Sequence, residues 1–192
     1  MKKNICIVTG SRAEYGLLRN LIKEIDKSKV VNYQLICTGT HLLRKAGNTV
    51  NEILDDGFKI DASVKILSNS SLASDIETCK ATSNCLNKIS KELKKLNPNI
   101  IVLLGDRFEI LASAIAATIL NIPIAHIHGG ETTEGAIDEA FRHSITKMSF
   151  LHFVAAERYK NRVIQLGEHS SRVFNVGGMG IDAIKNIKLF SK

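Results

Sequence analysis

Proline is scarce: Pro98 and Pro123 are the only two in 192 residues, and with 13 glycines this excludes a proline-rich or low-complexity chain. No apolar run approaches the ~20 residues that a membrane-spanning helix needs. The N-terminal MKKNICIVTG begins as a signal peptide would, but its apolar stretch is short and Arg12 and Glu14 follow at once, so a cytoplasmic chain is expected. CxxC is missing, which argues against a zinc ribbon or a dithiol redox pair. Cys6 and Cys37 sit in strand-like runs and Cys79 and Cys85 in a helical stretch; all four read as reduced thiols, mostly buried. Aromatic residues make up only 5% and do not interleave with the lysines. The net charge of +7 therefore reads as solvated helix faces (Lys88, Lys91, Lys94, Lys95), not as a nucleic-acid surface. A modest positive field still favours an anionic substrate.

What is present is alternation. Apolar runs at Ile5 to Thr9, Gln34 to Thr38, Ile100 to Leu104, Ile124 to Ile127, Leu151 to Ala155 and Val173 to Val176 predict buried parallel strands, with a weaker candidate at Ile60 to Ile66. Between them lie helical stripes: Leu17, Leu18, Leu21, Ile22 and Ile25, then Leu72, Ile76, Cys79, Leu86, Ile89, Leu93 and Leu96, stopped at Asn97-Pro98. An alanine-rich helix is expected from Phe108 to Leu120, and others at Asp138 to Met148 and Glu157 to Leu166. Strand alternating with helix implies right-handed crossovers and a doubly wound parallel α/β sheet in one domain.

Ionisable residues gather just after the strands, where open α/β sheets bind ligands. The segments are Gly10 to Gly16, Gly39-Thr40-His41, Gly105 to Glu109, and His128-Gly129-Gly130-Glu131 with Asp138, Glu139, Arg142 and His143 beyond. Neither GxGxxG nor GK[ST] occurs, so dinucleotide and ATP loops are excluded. A glycine turn, Arg12 and a helix N-terminus suit a diphosphate; a plain strand-to-helix turn with Arg12 as a surface charge fits the same residues. Asp106 is expected to be partly buried and paired with Arg12 or Arg107, or else to cap the next helix. His126 and His128 alternate along a strand and so would share one face, but a third metal ligand is missing and no metal is expected. Glu131, Asp138 and Asp106 would crowd one cleft and raise one another's pKa. Glu134 and Glu139 read as solvated. Arg142, four residues after Asp138, is placed to pair with it or to form a surface helix pair. Val176 to Gly180 is glycine-rich, but a strand-to-helix turn accounts for it.

TGSRAEYG, TGTHL, LGDRFE, HIHGGE, GAIDEAFRHSITKM and VIQLGE, in this order and over nearly the whole chain, resemble the hydrolysing UDP-N-acetylglucosamine 2-epimerases of sialic-acid biosynthesis. The resemblance implies a Rossmann-like N-terminal domain (1–180) of a glycosyltransferase-B type fold, followed by the start of an inter-domain connection (181–192). It implies Asp106, Glu131 and Asp138 as catalytic carboxylates. Arg12, with Arg107, would sit on the UDP phosphates, His41 and His128 at the sugar, and Arg142 as support for the carboxylates. Some relatives carry glutamate where this chain has His128, and Glu131 is favoured for that carboxylate role. The implied reaction eliminates UDP and hydrates a glycal to release N-acetylmannosamine, with neither metal nor cofactor.

The family's chains are about twice this length, so this one is expected to be an N-terminal half, inactive alone, whose complete form is a homo-oligomer. Two other enzymes stay open: a 2-epimerase of a diacetamido UDP-sugar and a glycosyltransferase of the same architecture. So does a non-catalytic sugar-nucleotide-binding module.

Overall fold

The structure is a computed structural model describing residues 2–68 and 74–185, with side chains to residue 182. Leu72 of the predicted stripe and residues 186–192 of the expected connection lie outside the described residues.

Seven parallel strands form one sheet in the order β3-β2-β1-β4-β5-β6-β7. They are β1 (Lys3–Thr9), β2 (Val31–Cys37), β3 (Ala62–Ser63), β4 (Ile100–Leu104), β5 (Ile124–Ile127), β6 (Leu151–Val154) and β7 (Val173–Asn175). Every predicted strand is there, and the weak candidate is the two-residue β3. The helices are α1 (Arg12–Asp26), α2 (Val50–Asp55), α3 (Asp75–Leu96), α4 (Phe108–Ile119), α5 (Asp138–Met148), α6 (Glu157–Gln165) and α7 (Met179–Lys185). The fold is a doubly wound, Rossmann-like α/β sheet. Its strand order reverses between β1 and β4.

Both sheet faces are buried. Cys6, Val8, Ile101 and Leu103 pack under α3 and α4, while Ile7, Leu35, Val102 and Ile127 pack under α1 and α2. In α1, Leu18 and Ile22 are wholly buried, and each such side chain contributes roughly 1.5–3 kcal/mol. Ser11 caps α1 by accepting from the Glu14 N–H. In α3 the predicted stripe drifts: Ile76 and Cys79 are exposed, and the buried row is Ala81, Cys85, Ile89 and Leu93, spaced by four against α4. Asn97 ends α3 in a left-handed cap, φ 46°.

One short helix, α2, escaped the sequence pattern, and another, α7, begins within the Val176 to Gly180 segment that reads as a strand-to-helix turn. α2 is six residues long, and only Ile53 in it is buried. α7 follows the Val176 to Gly178 turn and packs on α1, so the expected boundary at residue 180 falls inside a helix. No helix among the described residues is long and apolar enough to cross a membrane.

The loops after β1 and β2 are locked together. The Gly10 carbonyl accepts from the Thr40 N–H (2.8 Å), the Thr40 hydroxyl (3.1 Å) and the His41 N–H (3.3 Å). Gly39 has φ +58°, and a Cβ there would lie 2.5 Å from the Gly10 oxygen. Gly57 has φ +83° with nothing within 4 Å of its missing Cβ. Gly57→Ala is expected to cost about 1–2 kcal/mol from backbone strain alone. Gly39→Ala adds a collision with fixed backbone, for a total of roughly 3 kcal/mol or more. Equal shifts of the urea midpoint in the two variants would contradict this packing.

Candidate active site at the switch point

β2, β1, β4 and β5 are consecutive neighbours in the sheet, so the four glycine-bearing loops line one edge. At that edge α1 and α4 begin, and their free N–H groups face the switch point with partial positive charge. Arg12, His41, Asp106, Arg107, His128 and Glu131 lie on or beside these loops. Their partners are another matter.

Asp106 pairs with neither Arg12 nor Arg107, and it does not cap α4, whose N-cap residue is Arg107 and which has no side-chain cap. Its partner is Arg142, reaching back from α5. The same guanidinium donates to the Glu131 carbonyl (2.8 Å) and the Thr133 hydroxyl (2.9 Å). Arg142 therefore ties the β4 loop to the β5 loop; the expected pair with Asp138 is not the one formed. The reason is reach: Arg142 is buried, and its long side chain satisfies itself inward on two remote loops.

Burial raises the Asp106 pKa above its ordinary value; Arg142 opposes this and Asp138 adds to it. Of the expected mutual elevation, only the effect of Asp138 on Asp106 is present, and desolvation leads it. Glu131 faces His128 Nδ1 across 3.3 Å. His128 lies past the end of β5 at φ 66°, so the expected alternation with His126 is broken there. Its Nε2 is buried and has no hydrogen-bond partner.

Arg12 is the outlier. Its side chain is 73% exposed and pairs with Glu52 of α2 at 2.8 Å, so no contact joins it to the carboxylates. His41 is fully buried, its ring nitrogens engaged by Thr9 (3.0 Å) and Thr49 (2.8 Å), which leaves neither nitrogen open to a ligand. Glu134 is exposed as expected, but Glu139 accepts from the Thr133 N–H and faces His143 at 3.5 Å.

Two buried glutamates were missed. Glu109 is fully buried and accepts from Arg107 Nε at 2.7 Å; Glu14 is 6% exposed, accepts from the Gly10 N–H at 2.6 Å and lies 3.5 Å from the same Nε. The signal was available: Glu109 is the one charged residue in the apolar helix FEILASAIAATI. Below the loops, His126 Nε2 meets the Gly105 carbonyl at 2.8 Å, so that nitrogen carries the hydrogen and Nδ1 accepts from Thr146 at 3.1 Å.

A groove of about 530 Å³ lies elsewhere, beside α1 and α7, lined by Leu17, Leu21, Val102, Ile127 and Phe153 among others. It is apolar and holds none of the ionisable loop residues, so volume does not mark the polar site. Among the described residues no group of three His, Cys, Asp or Glu side chains is placed to hold a metal ion.

Fold and site together define a Rossmann-like domain with an anion-suited switch point and carboxylates beside it. The chain belongs to the family described as UDP-N-acetylglucosamine 2-epimerase, whose sequence profile matches residues 23–192. It is 46% identical over its full length to a GDP/UDP-N,N'-diacetylbacillosamine 2-epimerase (hydrolyzing) of Campylobacter jejuni, covering 49% of that protein. With a UDP-N,N'-diacetylbacillosamine 2-epimerase (hydrolyzing) of Legionella pneumophila it shares 42% over 98% of its length, and with the polysialic acid biosynthesis protein P7 of Escherichia coli 43% over 99%, covering 49% and 48% of them. The chain thus spans about half the length of these curated relatives. A crystal structure of a UDP-N-acetylglucosamine 2-epimerase matches the whole chain and 53% of its own with TM-score 0.86 at 22% identity, and so shares the fold. The expected tie to the sialic-acid route is not specific: two of these three relatives are named for diacetylbacillosamine.

Ionisation gives a test of this geometry. Burial lowers His41 and His126 to about 4, and lowers His152 as well. The unfolded chain takes up those protons first, so this stability is whole above about pH 6.5 and lost as the pH falls. Glu14 runs the other way: burial first, then Glu109, raises it to about 7. Its contribution is present below about pH 4.5 and lost as the pH rises through about 7. Glu14→Gln should therefore gain on the unaltered protein by on the order of 2–3 kcal/mol between about pH 4.5 and 8. Urea midpoints across that range check this, and parallel curves for the two proteins would count against a buried, proton-holding Glu14.

Proposed function

We propose that this chain forms half of a hydrolysing 2-epimerase acting on a UDP-linked diacetamido sugar. The observation that carries the reading is Asp106, half-buried, under the influence of Asp138 and held by Arg142 across two adjacent strand ends. The substrate class rests on the relatives named for diacetylbacillosamine.

The chemistry explains the need for such a group. The proton on sugar carbon 2 has no carbonyl neighbour and is barely acidic, so its removal must accompany loss of UDP from carbon 1. A carboxylate takes the proton, the C–H electron pair becomes the carbon 1–carbon 2 double bond, and the C1–O pair leaves with UDP. Water then adds its hydroxyl to carbon 1 and a proton reaches carbon 2 from the opposite face, which releases the free 2-epimer. Asp106, Glu131 and Asp138 share the base, acid and water-orienting work. A carboxylate raised by burial accepts a proton near neutrality better than an ordinary one.

Arg107 and the start of α4 receive the leaving diphosphate, with Arg12 recruited from its exposed pair. His128 offers its unpartnered Nε2 to the sugar. We assign His41 to holding the Gly39 to Leu42 turn under Gly10, in place of direct sugar contact. The second half of the protein closes the cleft, and the complete enzyme is taken to work as a homo-oligomer. The polysialic acid relative favours a second reading, plain UDP-N-acetylglucosamine giving N-acetylmannosamine.

The chain alone is expected to give no steady-state UDP release; robust release would overturn its role as half a site. Joined to the C-terminal half of a diacetylbacillosamine relative, it should release UDP and a free 2-epimer. The higher kcat/KM is expected for the diacetamido substrate, and the reverse order would favour the second reading. Asp106→Asn in that fusion should lower kcat by about 10²-fold or more, and retained turnover would remove Asp106 from the mechanism.

A further inference from the structure

We propose that Glu109 and Glu14 are positioning residues for Arg107: two carboxylates, buried beneath the β1 and β2 turns, that fix the guanidinium by its Nε and leave its terminal nitrogens for the diphosphate of the substrate. This rests on the nucleotide-sugar reading above and assigns work to residues that reading leaves idle.

Three observations support it. Both contacts run through Nε, at 2.7 Å from Glu109 and 3.5 Å from Glu14, while the Arg107 side chain stays 37% exposed. A guanidinium held on one edge presents its other edge as a fixed fork, the shape a phosphate oxygen pair accepts.

Second, Glu109 Oε2 is buried without a hydrogen-bond partner, and Glu14 Oε1 has only its 3.5 Å ion pair with Arg107 Nε. A buried ion pair kept only for stability gains little, and an orphaned oxygen makes it worse. The arrangement makes sense when the position of the cation is what matters.

Third, the surroundings are cleared for it. A Cβ on Gly10 would lie 2.5 Å from Glu109 Oε1, and one on Gly39 2.8 Å from it, so two turns carry glycine where this carboxylate sits. Glu14, raised to about 7 by burial and by Glu109, holds a proton below that pH; with it the three groups carry no net charge and do not repel a diphosphate.

The test is a double-mutant cycle on the 192-residue chain with UDP as the probe. Affinity is read by NMR titration, and the urea midpoint is measured for every variant. Arg107→Ala should weaken UDP binding about tenfold, Glu109→Gln by a comparable factor, and the double variant no more than Arg107→Ala alone. Wild-type affinity in Glu109→Gln beside weakened Arg107→Ala, or losses that multiply in the double variant, would overturn the positioning role and leave the nucleotide-sugar reading standing. No UDP binding by the unaltered chain would overturn both. If Glu109→Gln does not fold, Glu14→Gln takes its place: a smaller loss that vanishes in the Arg107→Ala background supports the proposal, and unchanged affinity refutes it.

Discussion

The architecture of the switch point depends on one carboxylate buried where a parallel sheet changes direction. Glu109 enters from the first turn of α4, is fully buried, and pushes up against the two glycine turns that end β1 and β2. A charge in that place is tolerable only with a cation beside it and no side chain above it. Arg107 supplies the first condition, Gly10 and Gly39 the second. The Gly10 carbonyl then anchors the β2 loop, which seats His41 between two threonines.

A second buried charge organises the other side of the edge. Arg142 bridges Asp106 on the β4 loop to the backbone and hydroxyl groups of the β5 loop. The histidines beneath these loops stay neutral, because burial penalises their charged form and their neighbours are hydroxyls and a carbonyl. Neutral supports below and paired ions above keep the local field under the control of a few groups: Asp106 with Arg142, and Arg107 with its two glutamates. The same field suits a reaction in which an anion departs as a proton is taken.

Much of this could be read from one dimension. The runs IIVLL and IAHI are short and apolar and could only be buried strands; the 3.6-residue stripe of α1 could only be a helix on a sheet. Clusters such as Gly105 to Glu109 fell after strands, and strand ends are where such sheets work. What was missed has a physical cause in each case. α2 has a single buried residue, too few to make a period. Arg142 lies four residues from Asp138, yet its guanidinium is long and buried, so loops far away in the chain outcompete the helical neighbour. The lone charge in α4 was visible in FEILASAIAATI, but its meaning needed the neighbours above it.

By itself, then, the amino-acid order determined the alternation of strand and helix, the parallel winding and the loops on which chemistry could sit. All of these follow from periodicities of two and 3.6 and from local turn residues, which are short-range properties. Tertiary structure alone decided which charges pair: Asp106 with Arg142, Arg107 with Glu109 and Glu14, Arg12 with an exposed Glu52. Arg107 meets Glu14 only because β1 and β4 lie side by side, strands nearly a hundred residues apart in the chain that only the folded sheet brings together.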